Sequence, residues 1–261
     1  MTIAHAVAGE GAPPYVFVHG FACAREDWRL QVAHFSQRHR VLACDLRGHG
    51  ASPGTPGECT IERYGADVAE LLEQHDLRGA VLAGHSMGCR VVLQAALEAL
   101  GRVRAIALVD GSFLGGREPA EAERAARAAI EAEGYANFAR RLFTDMFFAP
   151  SAHRAAILER ALALPEALGS VLFPRLVRWD AARMEAALAA VRVPLLVIQS
   201  TYLNAEGRRV ALTPGETTPW LQLVRRAAPH ARIEIVPGVG HFPQLEAPEQ
   251  VNTLLETLVP V

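Results

Sequence analysis

Short continuous apolar runs recur along the chain: Tyr15–His19 (YVFVH), Val41–Cys44 (VLAC), Ala80–Ala83 (AVLA), Ile106–Val109 (IALV), Leu195–Ile198 (LLVI) and Ile233–Val236 (IEIV). Each is followed within a few residues by Gly, Asp, Ser or Pro. Strands buried on both faces lack polar alternation because neither face meets water, so these runs predict strands of that kind. Between them, Ile61–His75, Cys89–Leu100, Pro219–Ala228 and Pro248–Leu258 carry apolar residues at helical spacing. Strand alternating with helix predicts an α/β fold, a mostly parallel sheet covered by helices on both faces. One stretch departs from the alternation. Residues 115–190 hold no convincing strand, but Ala-rich helical patterns around Ala120–Glu133, Ala136–Phe148, Ala152–Leu164 and Ala181–Ala190, divided by Gly134, Pro150, Pro165, Gly169 and Pro174. Phe138, Leu142, Phe143, Met146, Phe147 and Phe148 give this segment an apolar face. Lying between two core strands, it is expected to project over the carboxyl edge of the sheet as a cap, leaving residues 1–114 and 191–261 as the core.

Composition narrows the class. A chain of 261 residues suffices for one large domain, and 51% apolar with 21% charged residues excludes a disordered protein. The longest apolar runs, such as Val193–Ile198, fall far short of a bilayer span. Lys and Arg number 26 against 28 Asp and Glu, and the basic pairs Arg140–Arg141, Arg208–Arg209 and Arg225–Arg226 are isolated rather than gathered into a stripe. No nucleic-acid or membrane partner is expected. Met1–Gly11 has no basic flank leading into an apolar segment, so the expected location is the cytoplasm. Cys23, Cys44, Cys59 and Cys89 form no CxxC and are expected as free thiols, and the ten histidines contain no HExxH, so no metal site is expected.

Three short motifs carry chemistry. Gly84-His85-Ser86-Met87-Gly88 follows the strand at 80–83 and opens the helix at Cys89, the context of a GxSxG nucleophile elbow. A serine there sits in a strained turn with its hydroxyl projecting, and a side chain at 84 or 88 would collide with neighbouring backbone. The helix N-terminus directs the Met87 N–H toward a developing oxyanion. His19-Gly20-Phe21 closes the first strand and offers the Phe21 N–H as a second oxyanion donor, with His19 itself structural. Gly238-Val239-Gly240-His241-Phe242-Pro243 follows the last strand and would carry His241 over the sheet edge toward Ser86, as the candidate base.

With Asp45-Leu46-Arg47-Gly48-His49-Gly50-Ala51-Ser52, these motifs resemble the α/β-hydrolase superfamily over nearly the whole chain except the cap. Within it, the chain is similar to the compact, capped branch of esterases, C–C bond hydrolases, lactonases and perhydrolases. The resemblance implies a nucleophile–acid–histidine triad without cofactor, and a structural role for the segment from Asp45 to Ser52. In most relatives an Asp follows the penultimate core strand. Here that strand, Val193–Gln199, is followed by Ser200-Thr201-Tyr202-Leu203-Asn204-Ala205-Glu206, with no Asp. Asn204 stands near the expected place but cannot carry charge. The candidates are Asp110, at the end of the strand before the cap, where certain dehalogenases and cofactor-independent quinolone dioxygenases place the acid, then Glu206 and Glu216, in a loop lengthened over 201–218.

The expected function is therefore hydrolysis of a carboxylic ester, thioester or lactone of a small to medium apolar substrate through an acyl-enzyme on Ser86, with His241 as base and Asp110 as the preferred acid. Two other readings use the same frame: a cofactor-independent dioxygenase or lyase with His241 as base, and a binding module with an idle triad. The expected partners are a small-molecule substrate and, if the chain self-associates, a second copy in a homodimer.

Overall fold

The apolar runs become strands because alternate residues enter two separate cores. In the run that begins at Tyr15, Tyr15 and Phe17 join one core with Trp28, Phe35, Val251 and Leu255. Val16 and Val18 point the other way, into a second core with Val68, Leu72, Val91, Val92, Leu221 and Val224. Neither face can be polar, which is the physical content of the unalternated pattern. The computed structural model describes residues 2–99, 101–204 and 206–259.

The strands are β1 (His5–Ala8), β2 (Tyr15–Val18), β3 (Val41–Cys44), β4 (Ala80–His85), β5 (Val103–Val109), β6 (Leu195–Gln199), β7 (Thr201–Leu203), β8 (Arg209–Ala211) and β9 (Arg232–Ile235). Seven form one sheet in the order β1-β3-β2-β4-β5-β6-β9, parallel except for β1, while β7 and β8 pair as a separate antiparallel hairpin. Helices α1 (Arg29–Phe35) and α11 (Pro248–Glu256), the latter preceded by the one-turn α10 (Pro243–Glu246), cover one face; α2 (Ile61–Gln74), α3 (Met87–Glu98) and α9 (Pro219–Ala227) cover the other. The chain runs from β2 outward to β3 and then returns to β4 on the other side of β2. Such a reversal leaves a crevice at the carboxyl ends of the strands, where ligands bind in open α/β sheets. Among the described residues no helix is long and apolar enough to cross a membrane.

Between β5 and β6 the chain forms α4 (Pro119–Glu133), α5 (Tyr135–Thr144), α6 (Ala152–Ala163), α7 (Glu166–Trp179) and α8 (Glu185–Ala190). Two residues expected to divide helices, Gly169 and Pro174, lie inside α7 instead. Gly169 is a packing contact: a Cβ there would fall 2.1 Å from the Tyr135 ring. Pro174 leaves the Ser170 carbonyl without its helical partner, a local loss that the buried face of α7 tolerates. The wide π-turn Asp180–Met184 then leads into α8, which packs on α3 and α9.

The sequence pattern missed β1 and α1. Strand β1 is half exposed at the sheet edge, and α1 is a short helix whose buried residues are Gln31 and Phe35, so neither has a strong period to read. The lengthened loop after β6 contains β7 and β8, also unforeseen. The end of the helix expected at Leu100 lies outside the described residues, α3 being seen to Glu98.

Candidate active site

Strands β4 and β5 end side by side, and each ends on a strained residue. Ser86 has φ 53° and ψ −112°, between the last residue of β4 and the first of α3. Asp110 has φ 44°, just after β5. Among the described residues four non-glycines take positive φ, and Ala22, Ser86 and Asp110 are three of them. Strain of this kind persists only where the surroundings over-determine it, and it gathers at functional sites. The elbow shows what does the determining: a Cβ on Gly84 would lie 2.2 Å from the Gly88 carbonyl oxygen, and one on Gly88 2.4 Å from that of Val18. Strand, helix and the neighbouring β2 are packed backbone to backbone, and only glycine fits at both places.

Asp110 is the hub of the second half. Its Oδ1 accepts the backbone N–H groups of Ser200 (2.7 Å) and Thr201 (2.8 Å), and its Oδ2 accepts the Thr201 hydroxyl (2.5 Å) and His241 Nδ1 (2.6 Å). The loop that in relatives would carry the acid here supplies the donors that hold it. Gln199 steadies the same corner, donating to the Gly111 carbonyl (2.8 Å) while accepting from Trp220 Nε1 (3.0 Å). His85 fixes the other partner, donating from Nε2 to the His241 carbonyl (2.7 Å). With Nδ1 on Asp110, the imidazole of His241 keeps Nε2 for the pocket that it lines together with Ser86.

Charge follows from these contacts. Burial acts to raise the Asp110 carboxyl, but the His241 hydrogen bond, the His241 and Arg209 charges and the Thr201 hydroxyl together hold it below its ordinary value. Burial, followed by the Arg209 charge, pushes His241 down to about 4 against the pull of Asp110. The imidazole is therefore neutral at pH 7, as a general base must be.

Phe21 lines the pocket, and the fully buried Met87 follows Ser86 in the chain. Met87 is the first residue of α3, so its N–H has no intrahelical acceptor. Phe21 lies in a loop held by two buried histidines. His19 donates from Nδ1 to the Gly20 carbonyl (2.7 Å) and accepts the Leu46 N–H (3.0 Å), and His49 accepts the Ala22 N–H (3.2 Å). Burial foremost lowers both, His49 to about 4, so both remain neutral acceptors. Asp45 and Arg47 serve structure, Asp45 through Arg25 and the Ala51 N–H, Arg47 through Asp67 at 2.6 Å. Glu206 and Glu216 are exposed, the latter capping its own turn through the Thr213 N–H. Asn204 likewise closes the hairpin turn by accepting the Arg208 N–H.

Sequence reasoning missed three contributors: Thr201, Arg209 and the pair Arg90–Asp180. Arg90 donates to both oxygens of Asp180 (2.8 and 2.7 Å) and to the carbonyls of Ser86 (2.9 Å) and Ser112 (2.7 Å), joining the elbow to the end of α7. A lone Arg and Asp 90 positions apart leave no local signal.

The pocket above these residues is partly open and is walled by Phe21, Leu114, Leu142, Phe143, Met146 and Phe173.

This combination of sheet, elbow and buried acid–histidine pair agrees with the comparisons to known proteins. Residues 15–254 match the model of the alpha/beta hydrolase family, and the chain belongs to that family. It is 30% identical over 253 residues to the dihydrolipoyllysine-residue acetyltransferase component of the acetoin cleaving system of Pseudomonas putida, covering 94% of this chain and 63% of that protein. Against the pimeloyl-[acyl-carrier protein] methyl ester esterase of Nitrosomonas europaea it is 26% identical, over 99% of this chain and 100% of the relative. Among solved structures, a thermophilic esterase from Thermogutta terrifontis superposes with a TM-score of 0.77 at 25% identity, covering 98% of this chain and 92% of the other. The chain spans less than two thirds of the length of several curated relatives, 28% of one of them. These relatives place the chain in a family of hydrolases.

Proposed function

We propose that the chain is a serine hydrolase that cleaves carboxylic esters, thioesters or lactones of small to medium apolar substrates. The observation that carries the reading is the 2.6 Å contact between the buried residues His241 and Asp110, with His241 and the strained, half-buried Ser86 lining the same pocket. Ser86 Oγ attacks the carbonyl carbon as its proton passes to His241 Nε2, and Asp110 holds the ring in the tautomer that accepts there. The Phe21 and Met87 N–H groups bind the oxyanion. Collapse expels the alcohol, protonated by His241, and water repeats the sequence on the acyl-enzyme. Residues 115–190 act as the cap that gives the pocket its acyl-binding wall.

The experiment pairs a fluorophosphonate label with a panel of p-nitrophenyl esters of graded chain length. Wild type is expected to label on Ser86 and to hydrolyse the panel without consuming oxygen, and Ser86→Ala to lose turnover by about 10⁶-fold with its melting temperature kept. Residual turnover within about tenfold of wild type would remove Ser86 as nucleophile. Oxygen uptake that survives Ser86→Ala would instead assign His241 to cofactor-independent oxygen chemistry.

A further inference from the structure

The hairpin β7–β8 takes no part in the main sheet, and its inner face meets the pocket. Leu203 and Arg209 are cross-strand partners, and both line it. The neighbouring Arg208 turns outward to Asp145 at 2.9 Å, so the two adjacent arginines are sorted to opposite faces by the alternation of the strand. Arg209 is 9% exposed and makes one side-chain hydrogen bond, from Nη1 to the Thr201 hydroxyl at 2.7 Å. Its buried Nε has no partner. The nearest carboxylate, Asp110, stands 3.6 Å away with its oxygens already taken by four closer donors. The other cation of the pocket, Arg90, is spent on Asp180, Ser86 and Ser112.

We propose that β7–β8 is a substrate-recognition element in which Arg209 receives a carboxylate carried by the substrate, in a pocket whose walls are mostly apolar and whose other cation, Arg90, is already paired. The proposal rests on the ester hydrolase reading and refines its substrate class. Two physical arguments support it. A guanidinium taken out of water is costly unless paired and hydrogen-bonded, and the protein supplies only part of that pairing. The charge also opposes the imidazolium that His241 becomes in that reading, and Asp110, 3.6 Å away and shared with His241, offsets it only in part. An incoming carboxylate removes both penalties, and the bidentate fork of arginine suits it.

The test uses isosteric ester pairs in a pH-stat. On the acyl side the pair is monoethyl adipate and its terminal amide; on the alcohol side it is the butanoyl esters of γ-hydroxybutyrate and of its amide. Wild type is expected to favour the carboxylate over the amide by about tenfold or more in kcat/KM in one pair, which tells whether the acyl or the alcohol part carries the anion. In Arg209→Met that ratio is expected to collapse toward one, and in Arg209→Lys to be retained in part. A wild-type ratio near one in both pairs overturns the proposal even if the variants fail to fold, and so does a ratio that Arg209→Met leaves intact. Absence of turnover on every ester together with absence of fluorophosphonate labelling is a different result, which rejects the hydrolase reading itself.

Discussion

The nucleophile side and the acid side of the site are built in opposite ways. Around Ser86 the main parts are local, a buried strand, two glycines that permit backbone contact and a helix beginning at Met87, all within Ala80–Glu98, with β2 pressed against Gly88. Around Asp110 almost nothing is local. Its carboxylate is held by Ser200 and Thr201 after β6, faced by Arg209 from β8, and bonded to His241 after β9. The difference teaches why an acid can change strands. Strands β5 and β6 are hydrogen-bonded neighbours about 4.8 Å apart, and the positive φ of Asp110 turns its side chain across that gap. The histidine requires a carboxylate at one point in space, and either strand end can reach it.

The comparison can be broken first at the acid. Asp110→Asn is expected to lower kcat by about 10⁴-fold with little change in KM, since Asn leaves the imidazole without its charge partner and permits the wrong tautomer. A loss below about tenfold would show that the distributed half of the site tolerates what the local half does not. On the elbow side, Gly88→Ala is expected to cost about 2–4 kcal/mol of stability in chemical denaturation, because its Cβ would press 2.4 Å from the Val18 carbonyl oxygen and backbone cannot easily yield.

Acid titration sharpens the contrast by acting on both sides. His85 is lowered to about 3 and His49 and His241 to about 4, in each case chiefly by burial. Their folded values lie below the ordinary 6.5, so between pH 6.5 and about 4 the unfolded chain binds the extra protons. Stability is thus present in full above pH 6.5 and falls as pH drops through that window, by up to about 1.4 kcal/mol per pH unit for each histidine. A melting temperature constant from pH 7 to 4.5 would contradict these buried neutral rings.

Smaller effects separate the partners of Asp110. Thr201→Val keeps the side-chain shape and the backbone N–H but removes the hydroxyl donor, and is expected to lower kcat/KM by about tenfold. Glu206→Gln is expected to change it by less than about twofold, because the carboxylate is exposed and unconnected to His241. A larger loss in Glu206→Gln than in Asp110→Asn, measured on the same ester, would reassign the acid.

How much of this could be read from the chain varies with distance along it. Five of the six apolar runs, the elbow and the helices between strands were legible because burial on both faces, steric need for glycine and helical periodicity act over a few neighbouring residues; the sixth run is the edge strand β9, which is only partly buried rather than covered on both faces as expected. The ends of the chain's weaker elements were not: β1 is an edge strand open to water, and Gly169 looks like a helix breaker until the Tyr135 ring is seen against it. Ser86, His241, Asp110, Phe21 and Met87 could each be named as candidates from motif and position. The choice among Asp110, Glu206 and Glu216 could not, because it depends on which carboxylate reaches one imidazole nitrogen, a relation between residues 131 positions apart. The same holds for Arg90 with Asp180 and for Arg209 in the pocket wall. Sequence alone determined the layers of the fold and the place of the strained turn at Ser86, through forces that act within one strand or one turn. Tertiary structure decided which carboxylate meets His241, how that ring is oriented and where the buried arginine lies, because those depend on charge and hydrogen bonding between segments that meet only when the sheet is assembled.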